Sequence, residues 1–327
     1  MRKEKVKGKH RVLWGFIYVG AFLLVFAVSA VIKMTADPLH GEYSVDWSNS
    51  VGLTYTDIPY GEAESNKFDL YVPADSSKES YGLVVYLHAG GFTSGDKSDD
   101  AEMLRWLCSK GYVAAGINYT LRDDAHPEAS VYSQSMEIKE SIPYVIAEAE
   151  KLGYTIDEMA ISGGSAGGCL ALLYAYRDGD TSPVPVKMVF EAVGPSSFYP
   201  EDWASYGFDQ EENAENAAAL FSVMRGETIT ADLFGTSGYD EAMKEISALL
   251  WVNEDTVPTL MAYGTYDIFQ PYLGSVRLDK ALTENNVPHD YIVFEHSGHA
   301  LQNDNDKYAE YMQKIVEYLD TYMPVED

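Results

Sequence analysis

Short apolar runs alternate with longer stretches of helical periodicity along most of the chain. Runs rich in Val, Ile, Leu and aromatic residues, each of strand length, occupy 53–58, 68–72, 83–87, 113–118, 159–162, 186–193, 259–263 and 291–295. Between them, the residues at 100–109, 131–152, 165–176, 239–251, 272–285 and 304–322 predict helices. The later strands are apolar on both faces and separated by helices, which predicts a mostly parallel sheet with helices on both sides. One interval breaks the rhythm. Residues 196–255 carry Trp203, Tyr206, Phe208, Phe221 and Phe234 between two strands that a few residues would suffice to join. This predicts an inserted cap at about 196–255, either a structural helical excursion or a cover over a substrate.

The amino terminus follows a different pattern. Arg2, Lys3, Lys5, Lys7, Lys9 and Arg11 precede the twenty-one uncharged residues 12–32. That length suits a membrane-crossing helix, and the basic flank places the amino terminus inside and everything after Lys33 outside. A cleaved signal peptide, ending near Ala27-Val28-Ser29-Ala30, and a buried core helix are the competing readings. The chain is therefore divided into an anchor or signal at 1–33, a linker with Asp37-Pro38 and Gly41 at 34–49, and one large domain at 50–327.

Charge sharpens this division. The chain has a formal charge of −28, and residues 34–327 hold 16 Lys and Arg against 50 Asp and Glu. Such a domain repels nucleic acid and anionic membrane surfaces, and its acidity reads as a solvated surface that keeps an exported protein soluble. The two cysteines, Cys108 and Cys169, sit in apolar surroundings and read as small buried hydrophobes rather than a disulfide framework.

Candidate chemistry centres on Ile161-Ser162-Gly163-Gly164-Ser165-Ala166-Gly167-Gly168. A Gly-x-Ser-x-Gly segment between a strand and a helix turns the chain sharply and pushes the serine hydroxyl into the open. A hydroxyl is a poor nucleophile until an imidazole accepts its proton and a carboxylate orients that imidazole. Asp267 and His299 supply these groups, each just beyond an apolar strand and in the order Ser, Asp, His. His296 is the rival base, set aside because Gly298 gives His299 the freer loop. Negative charge developing on a carbonyl oxygen needs backbone N–H donors, and Gly90, Gly91 and Ala166 are the candidates. His88, at the head of that loop, reads as a brace rather than a base.

These segments resemble the α/β-hydrolase superfamily, in particular the esterase/lipase group related to hormone-sensitive lipase and its feruloyl/acetyl-xylan esterase-like branch. The resemblance rests on Phe68-Asp69-Leu70-Tyr71-Val72-Pro73, His88-Ala89-Gly90-Gly91-Phe92 with Gly95-Asp96-Lys97, the Ser165 elbow, Gly264-Thr265-Tyr266-Asp267 and Ser297-Gly298-His299. It implies an α/β-hydrolase fold and points to His299 as the base. The family's His-Gly-Gly-Gly is His-Ala-Gly-Gly here, and its acidic partner on the helix near Ser133-Gln134-Ser135-Met136 is replaced. A structural ion pair is thereby put in doubt, and the triad is untouched.

The expectation is an extracytoplasmic serine hydrolase, anchored to the cell membrane or secreted. It would cleave carboxylic esters through an acyl-enzyme, with no cofactor or metal. Its substrate would be a small-molecule or acylated polysaccharide ester. An amidase or peptidase is the enzymatic alternative, and a non-catalytic surface-binding module is the alternative from another class.

Overall fold

A computed structural model describes residues 43–325. Two compact units divide between Ser44 and Val45, and the first falls almost wholly outside the described residues. The predicted anchor at 12–32 lies there too. Among the described residues no helix is long and apolar enough to cross a membrane.

Eight strands form one sheet: β1 (Gly52–Pro59), β2 (Lys67–Pro73), β3 (Tyr81–Leu87), β4 (Val113–Ile117), β5 (Ile156–Gly164), β6 (Val186–Ala192), β7 (Thr259–Gly264) and β8 (His289–Phe294). Their spatial order is β1-β2-β4-β3-β5-β6-β7-β8. β2 is antiparallel to both its neighbours, and all other pairs are parallel. β4 and β7 are buried along their whole length, as strands covered on both faces must be, whereas β1 at the edge is largely open.

The helices are α1 (Ala101–Ser109), α2 (Val131–Lys151), α3 (Ala166–Leu173), α4 (Ala214–Arg225), α5 (Ser237–Met243), α6 (Tyr272–Glu284) and α7 (Asn305–Tyr322). α1 packs on β2 and β4, α2 and α3 on β5, α6 on β7 and β8, and α7 on β6 to β8. The helix expected at 239–251 is shorter, because Ser247 turns to extended backbone and the chain continues as single 3-10 turns. α4 has no counterpart in the sequence expectation. Its alanines at 217–219 blur the apolar stripe that marks a helix.

Register decides where the loops emerge. Leu87 pairs with Gly163, Gly164 with Ala192, Ala192 with Ala262, and Gly264 with Phe294. The loops that begin at His88, Ser165, Val193, Thr265 and Glu295 therefore leave the sheet along one edge.

The segment 196–255 rises from this edge and has its own core. Phe221 of α4 is fully buried, with ring centroids of Phe198, Trp203, Phe208 and Phe234 at 6.1, 5.8, 5.9 and 6.4 Å. The Trp203 indole N–H donates to Ser197 O at 3.0 Å. Arg277 of α6 grips buried Asp202 with two hydrogen bonds of 2.7 and 2.8 Å, and Ser197 donates to the same carboxylate at 2.6 Å. Phe198, Trp203 and Phe221 thus hold the cap together, whereas Tyr206 is exposed. Cys108 and Cys169 are free and buried, and burial pushes both thiols far above their ordinary pKa.

Candidate active site

Ser165 stands at the turn from β5 into α3 with φ 52° and ψ −117°, a conformation costly for a side-chain-bearing residue. Its surroundings leave little alternative. A Cβ at Gly163 would run into Gly167, and one at Gly167 would run into Leu87 O, so the strand and helix approach more closely than any side chain allows. The Ser165 N–H donates to Ala192 O at 2.8 Å, which pins the turn to the end of β6.

His299 Nε2 lies 2.8 Å from Ser165 Oγ, and His299 Nδ1 lies 2.7 Å from Asp267 Oδ2. The Asp267 side chain is fully buried, and its other oxygen accepts the N–H groups of Phe269 and Gln270 at 2.8 and 2.9 Å. With both oxygens occupied, the carboxylate is fixed in plane and in place. The loops bearing Asp267 and His299 are also joined directly, by Tyr266 N–H to Ser297 O and Thr265 N–H to Phe294 O, both at 3.0 Å. Serine, histidine and aspartate thus form one continuous chain.

His296 is placed elsewhere. It is exposed, its Nδ1 lies 2.7 Å from Asp304 Oδ1, and Ser297 Oγ donates to Asp304 Oδ2 at 2.6 Å. Asp304 also accepts the His296 N–H at 3.0 Å. His296 and Asp304 therefore brace the loop that carries His299. The sequence pattern marks Asp304 only as a helix start.

Opposite Ser165, the loop after β3 takes up positive φ at Gly90 (130°), Gly91 (60°) and Phe92 (68°). A Cβ on Gly90 would collide with Ser94 O, whereas Gly91 faces open space where a side chain would stand. Ala166 follows the serine as the first residue of α3, where helix N–H groups lack internal acceptors. His88 is buried beneath the loop, stacked on Tyr119 with centroids 4.3 Å apart, and its Nδ1 lies 2.7 Å from Ala89 O. Burial lowers its pKa and keeps the ring neutral.

Gln134, which the sequence reading names only within the run that lacks the family's acidic partner, supports this loop, and Glu137, not singled out, supports the backbone at Thr120 beside it. The buried Gln134 amide donates to Phe92 O at 2.9 Å and to Thr120 O at 2.8 Å. Glu137, one turn further along α2, accepts the Thr120 N–H at 2.7 Å and the Asn66 amide at 3.1 Å. A glutamine on the same helix face as Val131, Ile138, Ile142 and Val145 was the available signal. The replaced acidic position thus has hydrogen-bonded substitutes nearby. Among the described residues, no three His, Cys, Asp or Glu side chains gather as a metal site would require.

Residues 68–282 match the sequence model of the BD-FAE family. A kynurenine formamidase of Danio rerio is 30% identical over 150 residues, which are 45% of this chain and 48% of that protein. A probable carboxylic ester hydrolase, LipM, of Mycobacterium tuberculosis is 30% identical over 127 residues, 38% of this chain and 28% of that one. The chain thus spans half or less of the length of these curated relatives. A truncated carbohydrate esterase from gut microbiota superposes with a TM-score of 0.65 at 19% identity, over 83% of this chain and 98% of that one. The eight-stranded sheet and this superposition give the chain the α/β-hydrolase fold.

Proposed function

The chain belongs to the BD-FAE family, and from that premise we propose that it is a serine hydrolase that cleaves carboxylic esters through an acyl-enzyme. The observation that carries this reading is the unbroken relay from Ser165 Oγ through His299 to Asp267, at 2.8 and 2.7 Å. Ser165 Oγ attacks the ester carbonyl while His299 Nε2 takes its proton. Asp267 holds the ring in the tautomer with its proton on Nδ1 and stabilises the imidazolium. The N–H groups of Gly90, Gly91 and Ala166 receive the oxyanion. His299 then gives the proton to the departing alkoxy oxygen, and a water molecule, activated by the same imidazole, releases the acid and restores Ser165. None of these steps calls on a cofactor.

The reading is tested on the full chain with short-chain esters and a fluorophosphonate probe. Ser165→Ala and His299→Ala each lower kcat by several orders of magnitude, as loss of such residues does elsewhere. His296→Ala retains most activity, and the probe labels Ser165. Substantial turnover by Ser165→Ala, or loss through His296 in place of His299, overturns the assignment.

Likeness to a formamidase supports a second reading, in which the acyl–nitrogen bond of an amide is cut by the same residues. The rates of an ester and its matched amide decide between the two. We further propose that residues 12–32 anchor the chain in the cell membrane with the hydrolase unit outside the cytoplasm. Protease added to intact cells then removes that unit, and protection of the full chain, while an outward marker is cut, reverses the topology.

A further inference from the structure

The segment that leads from β7 into α6 buries polar side chains and exposes apolar ones. Three of its polar members, Asp267, Gln270 and Ser275, are buried. Every exposed position between 265 and 277 holds a large apolar side chain: Tyr266, Ile268, Phe269, Leu273 and Val276, from 42 to 69% exposed. Scattered single apolar residues need no explanation, but five along one segment make a patch that marks a binding surface.

The patch begins at the catalytic imidazole. The Phe269 ring meets His299 edge-on, with centroids 5.5 Å apart. Its N–H is held by Asp267, and its carbonyl accepts the Tyr206 hydroxyl of the cap at 3.0 Å. Phe269 is therefore fixed at both ends of its peptide unit and presents its ring outward beside His299.

Which part of an ester lies here follows from the proton's route. During acylation the Ser165 Oγ–carbon bond forms and the carbon–alkoxy bond breaks. The proton passes from Ser165 Oγ to His299 Nε2 and on to the alkoxy oxygen, which leaves as the alcohol. That oxygen must come within hydrogen-bonding reach of Nε2, so its substituent emerges on the His299 side. The acyl group stays on Ser165, with its carbonyl oxygen toward the N–H groups of Gly90, Gly91 and Ala166.

We propose that this patch is the alcohol-side specificity surface, with Phe269 as its innermost residue, and that the preferred substrates are carboxylic esters of apolar alkyl or aryl alcohols. The inference rests on the serine-hydrolase reading above. It favours small apolar esters over acylated polysaccharide, because the exposed Ile268, Phe269, Leu273 and Val276 side chains carry no hydrogen-bonding group for sugar hydroxyls.

The test compares ethyl, butyl, hexyl and benzyl acetates with ethyl esters of acetic, butyric and hexanoic acids. Wild type shows kcat/KM rising with the size of the alcohol. Phe269→Ala lowers the hexyl-to-ethyl and benzyl-to-ethyl acetate ratios by about tenfold, the scale on which apolar contacts discriminate substrates. Ile268→Ser acts in the same direction with a smaller effect. All acetates share one acetyl-enzyme, so where deacylation limits turnover they share one kcat and differ only in kcat/KM. An acyl-side surface would instead change the order among the ethyl esters in Phe269→Ala and leave the ratios among the acetates as in wild type. A uniform fall across the acetates, a changed acyl-length order in Phe269→Ala, or preference of wild type for an acetylated sugar over hexyl acetate overturns the assignment of the patch while Ser165 still reacts with a fluorophosphonate. Absence of turnover for every ester, with Ser165 unlabelled, instead overturns the hydrolase reading and the patch with it.

Discussion

The cap at 196–255 and the segment 265–277 are both rich in large apolar residues, yet they use them in opposite ways. In the cap, Phe198, Trp203 and Phe221 turn inward against one another and are almost wholly buried. Beside His299, Phe269 and Ile268 turn outward while Asp267 and Gln270 occupy the interior. Aromatic content therefore says where apolar surface exists, and only the direction of the side chains says whether it serves folding or a ligand. The difference has a local cause. Asp267 must point inward to reach His299, and strict commitment of one side chain leaves its neighbours Tyr266 and Ile268 outside.

Replacing one ring from each region is the sharpest way to break this contrast. Phe221→Ala removes a ring packed on four others and should cost about 3–5 kcal/mol of stability. Phe269→Ala, at a solvent-facing position, should stay within about 0.5 kcal/mol. Denaturant unfolding of both variants measures the two costs. Comparable losses would mean that the outward patch also supports the fold.

A second change probes the footing that both regions share. Glu191 on β6 accepts the Gly194 N–H at 2.8 Å, and Tyr263 on β7 donates to Gly194 O at 2.6 Å, just before the cap leaves the sheet. Burial pushes the Glu191 carboxyl up to about 8, against an ordinary value near 4.5. A carboxyl raised in the folded state favours folding in its protonated form. That contribution is complete below the unfolded value near 4.5 and is lost as pH rises through about 8. Wild-type Tm should accordingly fall between pH 5 and 9, and Glu191→Gln should flatten the fall, with a gain of up to a few kcal/mol at the alkaline end. Parallel Tm profiles for the two proteins would show that Glu191 does not set this dependence.

The smallest effect is expected where the two regions touch. Tyr206→Phe removes the hydrogen bond to Phe269 O, an exposed contact that should contribute less than about 1 kcal/mol. Its signature lies in selectivity, as a modest fall in the hexyl-to-ethyl acetate ratio with unfolding unchanged. An unchanged ratio would separate the cap from the positioning of Phe269.

Much of this arrangement was legible in the sequence. The eight apolar runs fall within or beside the eight strands, because buried parallel strands have to be continuously apolar. Ser165, Asp267 and His299 could be placed at one sheet edge because each follows such a run directly. His296 could be separated from His299 only through Gly298 and the resemblance, and the Asp304 contact that occupies it is a meeting of residues eight apart. The contacts of Gln134 and Glu137 escaped notice for a related reason: their partners lie in loops whose path no local pattern records. The outward patch was illegible on principle, since a run such as Tyr266-Asp267-Ile268-Phe269 reads as half-buried until the aspartate's direction is known.

The patch also bears on how copies of the hydrolase unit behave when they meet. Five large apolar side chains exposed along one segment invite molecules to adhere, and the excess of 50 Asp and Glu over 16 Lys and Arg in residues 34–327 opposes this by repulsion. That repulsion reaches only as far as the ionic atmosphere permits, about 10 Å at 0.1 M salt and about 3 Å at 1 M. The acidic surface thus acts as a colloidal stabiliser for a molecule that must leave a greasy face uncovered, and dilute buffers are the conditions in which that face stays available to small solutes.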